Sequence, residues 1–502
     1  MIDQTHTSLI QGGFRGVGLR LLAIVLSMGL GIVVAPAMAQ PKAAQEFLVR
    51  LSGSGLIGGR PVQELATAWA RQLKLASLRI DSGMDPDEYD VVAEGAEGTG
   101  RMTVQSRSHG TIAGLEPLMR GQADFWMASR LVREADLDAM RKRNMPNVPS
   151  LAQFQQPGVE NVIGLTALTV VVHPRNPVPS LTFQQLRDIY AGKATSWAQV
   201  GGPSNLPIGV YSLDVTDSDT EAFCGTILGN PDTQKCVDAF PRLAAPRAGM
   251  SEEDLADFVA GNPAGVGFVA FSARRSARPL PLGNTCGTGV APSLFKMKAE
   301  EYPLVQRLYL YTMPDRQLSP AAKDFLQFAL GPIGQAAIGA AGLADQAPGV
   351  SGPDYADARL DTANNAMDGG RTRVRVPDVR TFETASAGAD RLSLTFRFQA
   401  GTNLLDSRAE ADVVRLVDLL RKPNNARASV TLVGFSSTVG DYNGNRQLAR
   451  DRAEAIRDRL LAAGVQNVNA VGVGPGAAIA CNLDPVTSPL NQRVEVWLRK
   501  AG

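Results

Sequence analysis

Apolar residues recur along this chain in two alternating rhythms, and each change of rhythm marks an element. "FLVRLSG" (Phe47 to Gly53) reads as a strand running into a glycine-rich turn. "PVQELATAWARQL" follows with Val62, Leu65, Trp69 and Leu73 on one face and Pro61 at its start, the spacing of an amphipathic helix. "LTALTVVVHP" (Leu165 to Pro174) and "AGVGFVAFSAR" are nearly continuous apolar runs, as expected of buried strands, and "LTFQQLRDIYAGK" is a helix with Thr182 as its N-cap. Strands alternating with helices in this way predict an α/β architecture with mostly parallel sheets from Glu46 to Asp345, with ligands at the carboxyl ends of strands.

The rhythm stops between Gln346 and Asp390. That stretch is rich in Pro, Gly, Asp, Asn and Ala, and predicts a linker with at most a short strand at Val374 to Val376. Periodicity returns from Arg391 to Lys500. "LSLTFRF", "ASVTLVGF", "VNAVGVG" and "RVEVWLRK" are strand-like, whereas "AEADVVRLVDLLR" and "RQLARDRAEAIRDRLLAAG" are helical. The order β-α-β-α-β with a closing strand predicts a smaller α+β sandwich with helices on one face of a sheet. Most arginines of "RDRAEAIRDR" are expected to form exposed helix pairs.

Bulk composition narrows the possibilities. A chain of 502 residues is too long for one ordinary core, and 44% hydrophobic with 20% charged residues describes a globular protein. With 50 basic and 49 acidic residues the net charge is +1, and no basic block is present to recruit nucleic acid. Residues 1–39 have the form of a signal peptide: Arg15 and Arg20, an apolar core from Leu21 to Val34, and small residues at Ala37 and Ala39 before Gln40. The apolar core is shorter than the ~20 residues of a membrane span. Export to the periplasm, in association with the cell wall or outer membrane, is the expectation.

Four cysteines suit an exported protein. Cys224 and Cys236 lie close together and predict a local disulfide, whereas the pairing of Cys286 and Cys481, placed in different modules, stays open. After removal of the first 39 residues only His109 and His173 remain, and neither has a ligand neighbour at metal spacing, so no metal or cofactor is expected. The absence of a Gly-x-Ser-x-Gly elbow and the shortage of histidines point away from an enzyme.

"LSGSGLIGGRP" (Leu51 to Pro61) passes from strand to helix through glycines, which exposes backbone N–H groups as an anion pocket around Ser54 and Gly55. "HGTIAGLEPLMRGQADFWMASR", "LTVVVHPRNPVPSLTFQQLRDIYAGKATSWAQVGG" and "SDTEAF" follow in order. This set resembles the periplasmic phosphate-binding proteins of ABC transporters, a two-lobed solute-binding fold, from about Phe47 to Ala344. The resemblance implies an oxyanion held between two lobes by neutral dipoles plus an arginine and an acid, with an ABC permease as a partner. It points to Ser54, Gly55, Thr111, Ser129, Arg130, Ser218, Asp219 and Thr220 as the pocket. The family's Ser-Gly-Thr is Ser218-Asp219-Thr220 here, and Asp214 stands near the place of an expected arginine, with Asp217 between. Like charges at ~4 Å repel by about 1 kcal/mol in water and by more when buried. A phosphate dianion therefore needs compensation from Arg130, Arg107 or Arg247; a cationic or zwitterionic ligand, or a pocket that has lost its ligand, are the alternatives.

"VGFSSTVGDYNGNRQLARDRAEAI" (Val433 to Ile456) places Ser436, Ser437, Thr438 and Asn445 ahead of Arg452, which lies one helical turn beyond Leu448. Hydroxyls, an amide and a guanidinium facing one loop suit a small carboxylate-bearing ligand. With "NQRVEVWLRK", this stretch resembles the OmpA-like peptidoglycan-binding domain from about Leu392 to Arg499. The resemblance implies that Ser436, Ser437, Asn445, Leu448 and Arg452 form a pocket for diaminopimelate of the wall peptide. Ser437 occupies the place of the family's aspartate, and loss of that charge-assisted bond predicts roughly tenfold to a hundredfold weaker binding. Whether Asp441 substitutes for it stays open. The two resemblances together imply an envelope protein that captures a small solute and is tethered to peptidoglycan, or alternatively a structural scaffold whose solute pocket has lost phosphate.

Overall fold

The computed structural model describes residues 45–500 except 97–99, 214–217, 230–231, 244–249, 284–288, 353, 369–373, 400–401, 439 and 483–487. The signal peptide, Asp214, Asp217, Arg247 and Cys286 thus lie outside the described residues. In the N-terminal module, β1 (Gln45–Gly53), β2 (Ser77–Ser82), β3 (Glu88–Glu94), β4 (Gly100–Arg107), β5 (Phe125–Ala128), β6 (Glu160–Val172), β7 (Gly209–Val210), β8 (Gly265–Ala270) and β9 (Val305–Tyr311) join one sheet. Their order is β2-β3-β4-β1-β5-β9-β6-β8-β7, with Arg278–Pro279 added against β6.

The fold is the expected α/β, two-lobed solute-binding one, but the expectation of mostly parallel pairing is corrected. Within this sheet, among the described residues, only β1 with β4, β1 with β5 and β7 with β8 run parallel; the other pairs are antiparallel. Two physical reasons account for this. β2, β3 and β4 follow one another as hairpins, and β6 and β9 carry the chain between lobes in opposite directions. Ile163 of β6 packs in a first core with Val49, Leu65, Trp69, Phe125 and Leu308, whereas Leu165 to Val172 enter a second core with Leu186, Tyr190, Phe223 and Phe268. Thirteen consecutive buried residues in β6 reflect its passage through both.

Several local signals hold. Helix α1 (Gly55–Gly58) follows β1 directly, and in α2 (Arg60–Gln72) Val62, Leu65 and Trp69 are buried behind a proline at the first turn. The Thr182 hydroxyl caps its helix by accepting from the Gln185 N–H at 3.1 Å. Two further helices matter below: α3 (Glu134–Lys142) and α4 (Ser218–Phe223). Cys224 and Cys236 are bridged, with Cα atoms 5.9 Å apart, and Cys481 is also disulfide-bonded. Among the described residues no helix is long and apolar enough to cross a membrane.

The stretch expected to be a linker is helical. It forms α5 (Asp354–Asp368) and α6 (Val376–Ser386), and no strand forms at Val374 to Val376. The C-terminal sheet has β10 (Asp390–Phe396), β11 (Ser429–Phe435), β12 (Val468–Gly474) and β13 (Arg493–Arg499) in the order β10-β13-β11-β12. Helices α7 (Ser407–Arg421) and α8 (Tyr442–Ala462) cover the face bearing Leu392, Leu394, Val430, Leu432, Val494 and Val496. Helices α5 and α6 cover the opposite face through Ala356, Ala363, Val379, Phe382 and Ala385 against Val433, Phe435 and Trp497. The expected sandwich is present, and a third layer has been added to it.

That added layer buries charge. Glu495 on β13 is fully buried among Arg493, Arg391 on β10 and Arg359 on α5, with Arg359 Nη1 at 3.1 Å. Burial alone would raise its pKa, but the three guanidinium groups hold it far below the usual carboxylate range. A similar cluster joins the two modules. Glu300, just ahead of β9, meets Arg307 of its own module and Arg397 and Arg408 of the C-terminal one, at 2.9 Å for Arg397 Nε and 3.1 Å for Arg408 Nη1. Arg307 in turn reaches Asp406 at 2.8 Å, and the Ser407 hydroxyl donates to Glu160 at the start of β6. The junction thus clamps the two strands that link the lobes.

Candidate functional site

In the N-terminal module the predicted residues gather where strands end. β1 and β5 are parallel neighbours, with Gly53 opposite Met127, so Ser54 and Ser129 emerge from the same sheet end. Gly53 has φ 139°, and a Cβ there would lie 2.1 Å from the Met127 carbonyl oxygen, so only glycine lets β1 turn into α1. The turn leaves Ser54 1% exposed, with its hydroxyl lacking a hydrogen-bond partner among the described residues, and starts the helix at Gly55. The Thr111 and Ser129 hydroxyls are 2.9 Å apart, and Trp126 Nε1 fixes that turn by donating to the Thr111 carbonyl at 2.6 Å.

Arg130 completes this edge, but its charge is already answered. Its Nη1 and Nη2 donate to the two oxygens of Asp136, in α3, at 2.7 and 2.9 Å. Its Nε lies 3.5 Å from Glu221 Oε1 on α4, across from the other lobe. Burial opposes the charge, and Asp136 and Glu221 outweigh it, so the Arg130 pKa is raised. Arg133 adds a second cation nearby, its pKa lowered by burial and by Arg130. Asp219 and Thr220 are buried in the first turn of α4, which Ser218 begins. Arg107, a candidate for compensation, is turned elsewhere, bonded to Asp90 at 2.8 Å and the Tyr89 carbonyl at 3.0 Å. Asp136, Arg133 and Glu221 are the additions that sequence reading missed; Glu221 lay inside the quoted "SDTEAF" but was unmarked because the resemblance names an acid without placing it there.

His109, without a ligand neighbour in sequence, acquires neighbours in space. The β2–β3 hairpin brings Asp85 and Asp87 to it, and its ring meets Glu88 Oε1 at 2.9 Å. All three of Asp85, Asp87 and His109 are exposed, an ordinary surface cluster.

In the C-terminal module the five predicted residues converge. Ser436, Ser437, Asn445, Leu448 and Arg452, with Gln492, line one pocket of about 250 Å³. Its walls are the loop after β11 and the first turns of α8. Gly434 sets their spacing, because a Cβ there would stand 1.9 Å from the Ala449 carbonyl oxygen of α8. Arg452 is 5% exposed; its guanidinium lies 4.5 Å from the Phe398 ring centre, and Nη2 donates to the Thr402 carbonyl at 3.1 Å. Its Nε and Nη1 are buried without a hydrogen-bond partner among the described residues, as is the Ser436 hydroxyl. Burial lowers the Arg452 pKa, which stays a cation at neutral pH because arginine starts at 12.5.

Asp441 caps α8, its carboxylate accepting from the Gly444 N–H at 2.7 Å, and does not line the pocket. Of the other α8 arginines, Arg450 and Arg457 approach Glu454 at 4.0 and 3.8 Å as exposed helix pairs do, whereas Arg459 reaches Glu410 on α7 and Arg446 faces buried Asp378 on α6. Gln492, from the quoted "NQRVEVWLRK", joins the pocket lining, and Phe398 and Thr402, which sequence reading did not mark, hold the Arg452 guanidinium from a different segment.

Comparison with known proteins divides the chain at the same place. A PBP superfamily domain matches residues 89–332, and the OmpA family matches residues 397–482. Protein SphX of Synechococcus elongatus is 26% identical over 282 residues, 54% of this chain and 76% of that protein. Phosphate-binding protein PstS of Staphylococcus saprophyticus is 24% identical over 240 residues, 47% of this chain and 69% of that protein. Outer membrane porin F of Pseudomonas aeruginosa is 32% identical over 114 residues, 22% of this chain and 32% of that protein. This chain joins a solute-binding domain of the PBP superfamily to a C-terminal domain of the OmpA family.

Proposed function

We propose that the chain is an envelope-associated binding protein that grips peptidoglycan with its OmpA-family domain and captures a small oxyanion with its PBP domain. The observation that carries the first half is the Arg452 pocket. A buried guanidinium whose Nε and Nη1 lack a hydrogen-bond partner among the described residues, facing a cavity with hydroxyls and an amide, matches the carboxylate end of a small ligand. Diaminopimelate of the wall peptide supplies that group, and the absence of an acid at Ser437 leaves its ammonium end without a charged partner. The second half rests on the Ser54, Thr111 and Ser129 hydroxyls beside Arg130, and on a relative named as phosphate-binding. Asp136, Glu221 and buried Asp219 set against Arg130 and Arg133 favour an oxyanion that still carries a proton over a fully ionised one.

The full chain mixed with purified sacculi and pelleted is expected to leave the supernatant, and Arg452→Gln to stay in it. Retention of both in the supernatant would remove the tether. A second reading for the PBP domain is structural, and the Arg130 contacts to both Asp136 and Glu221 favour it: the arginine would lock the lobes rather than hold a solute. Calorimetry of the full chain with phosphate separates the two, since micromolar binding is incompatible with a lock alone.

A further inference from the structure

A second cavity adjoins the Arg452 pocket. It has a volume of about 410 Å³ and is lined by Val374, Arg375, Thr438, Gly440, Tyr442, Asn445 and Pro475. Asn445 lines both cavities, and the consecutive residues Ser437 and Thr438 line one each. The two are therefore neighbouring compartments along a single loop. One wall comes from the residues leading into α6, outside the matched OmpA segment of 397–482.

The chemistry of this wall is pre-arranged. The Arg375 guanidinium carbon lies 3.7 Å from the centre of the Tyr442 ring. Stacking of this kind uses the face of the guanidinium and leaves its in-plane N–H groups directed outward. Among the described residues no side-chain hydrogen bond or direct ion pair engages that guanidinium, although its charge acts at longer range on the Asp378 carboxylate. The tyrosine beneath is itself held, because its hydroxyl donates to Asp378 Oδ2 at 2.6 Å, and Asp378, fully buried in the first turn of α6, also faces Arg446 Nε at 3.3 Å. Partial burial and the Asp378 carboxylate push the Tyr442 hydroxyl up to about 12, so it stays a neutral donor. Thr438 and Asn445 add a hydroxyl and an amide to the lining.

We propose that this cavity is a second subsite for the same wall peptide, in which Arg375 takes a second carboxylate one residue removed from the one held by Arg452. The inference rests on the reading of the Arg452 pocket given above. It assigns the helices ahead of the OmpA-family domain a binding role: they turn a pocket for one amino acid into a groove that reads a peptide with two acidic groups. Stem peptide in which a γ-linked glutamate precedes diaminopimelate presents its carboxylates in that arrangement.

Calorimetric titration of the full chain with two probes tests it: free meso-diaminopimelate, and the tripeptide D-γ-glutamyl-meso-diaminopimelyl-D-alanine. The tripeptide is expected to bind roughly tenfold tighter than the free amino acid, the scale of one added charge-assisted contact. Arg375→Gln should abolish that gain and leave free diaminopimelate unchanged, which also shows that the variant is folded. Arg375→Lys, which keeps the charge without the planar fork, should recover only part of the gain. Equal affinity for the two probes, or a gain that survives in Arg375→Gln, overturns the second subsite while the first pocket stands. Failure of both probes to bind overturns the first pocket and the subsite with it.

Discussion

Arg130 and Arg452 hold the same nominal post in their two modules, yet the structure treats them in opposite ways. Each is a largely buried guanidinium beside a loop-and-helix turn, placed where a family resemblance puts the anion-binding cation. Arg130 is clasped by both oxygens of Asp136 and approached by Glu221. Among the described residues Arg452 makes one bond to a carbonyl and rests on an aromatic ring, with no hydrogen-bond partner at Nε or Nη1. A motif therefore locates a cation but does not say whether its charge is spent. The groups packed around the guanidinium decide that, and here they argue for carboxylate capture at the C-terminal pocket more strongly than for anion capture at the N-terminal one.

The largest expected effect comes from the junction between the modules rather than from either pocket. Glu300 answers three arginines at the module junction, and Glu300→Ala strands them; breaking a buried pair by deleting one partner costs about 3–5 kcal/mol. Urea unfolding should register that loss. The same residue sets a pH dependence. Burial would raise its pKa, but Arg307, Arg408 and Arg397 hold it well below the ordinary 4.5, so the folded state resists protonation more than the unfolded one. Stability is then present above about pH 4.5 and lost as pH falls through the folded pKa, while Glu160 and Asp412, whose pKa values burial raises, act in the opposite sense. Urea midpoints measured from neutral to acid pH should fall in the wild type and fall less steeply in Glu300→Ala.

Next comes the pair of arginines themselves. Arg130→Gln forfeits charge-assisted bonds to Asp136 and should cost roughly 1.5–3 kcal/mol. Ser437→Asp gives the C-terminal pocket the acid it lacks, and should tighten free meso-diaminopimelate by about tenfold, read by calorimetry. The smallest effect is the sharpest for the comparison. Arg452→Gln removes a buried cation whose solvation was only partly replaced, so the unfolding free energy should stay within about 1 kcal/mol of wild type. A drop as large as that of Arg130→Gln would mean that Arg452 is structural.

Much of this architecture was legible because its elements keep period. The apolar runs at Leu165 to Val172 and the face of Val62, Leu65 and Trp69 could be assigned from spacing alone. The direction of pairing could not, since a strand buried on both faces reads alike whether its neighbours are parallel or antiparallel. Helices α5 and α6 were hidden for a different reason: their buried faces are built largely of Ala356, Ala363 and Ala385, too small to stand out from a Pro- and Gly-rich stretch. Arg493 and Glu495 alternate with Val494 and Val496, which reads as a solvated sheet face, and only the layer above them reveals that both are buried. At the pockets, the loop and helix of the C-terminal site lay in one contiguous stretch and were found together. Asp136 reached Arg130 as a capping residue of the next helix, a local role that masks its effect on the site.

The most direct test is titration of the full chain with meso-diaminopimelate, wild type beside Arg452→Gln, followed by calorimetry. Saturable one-to-one binding that weakens at least tenfold in the variant, with an unchanged unfolding midpoint, is the predicted result. Equal binding by both proteins, or none by the wild type, would contradict the view that Arg452 is a cation held in wait for a carboxylate.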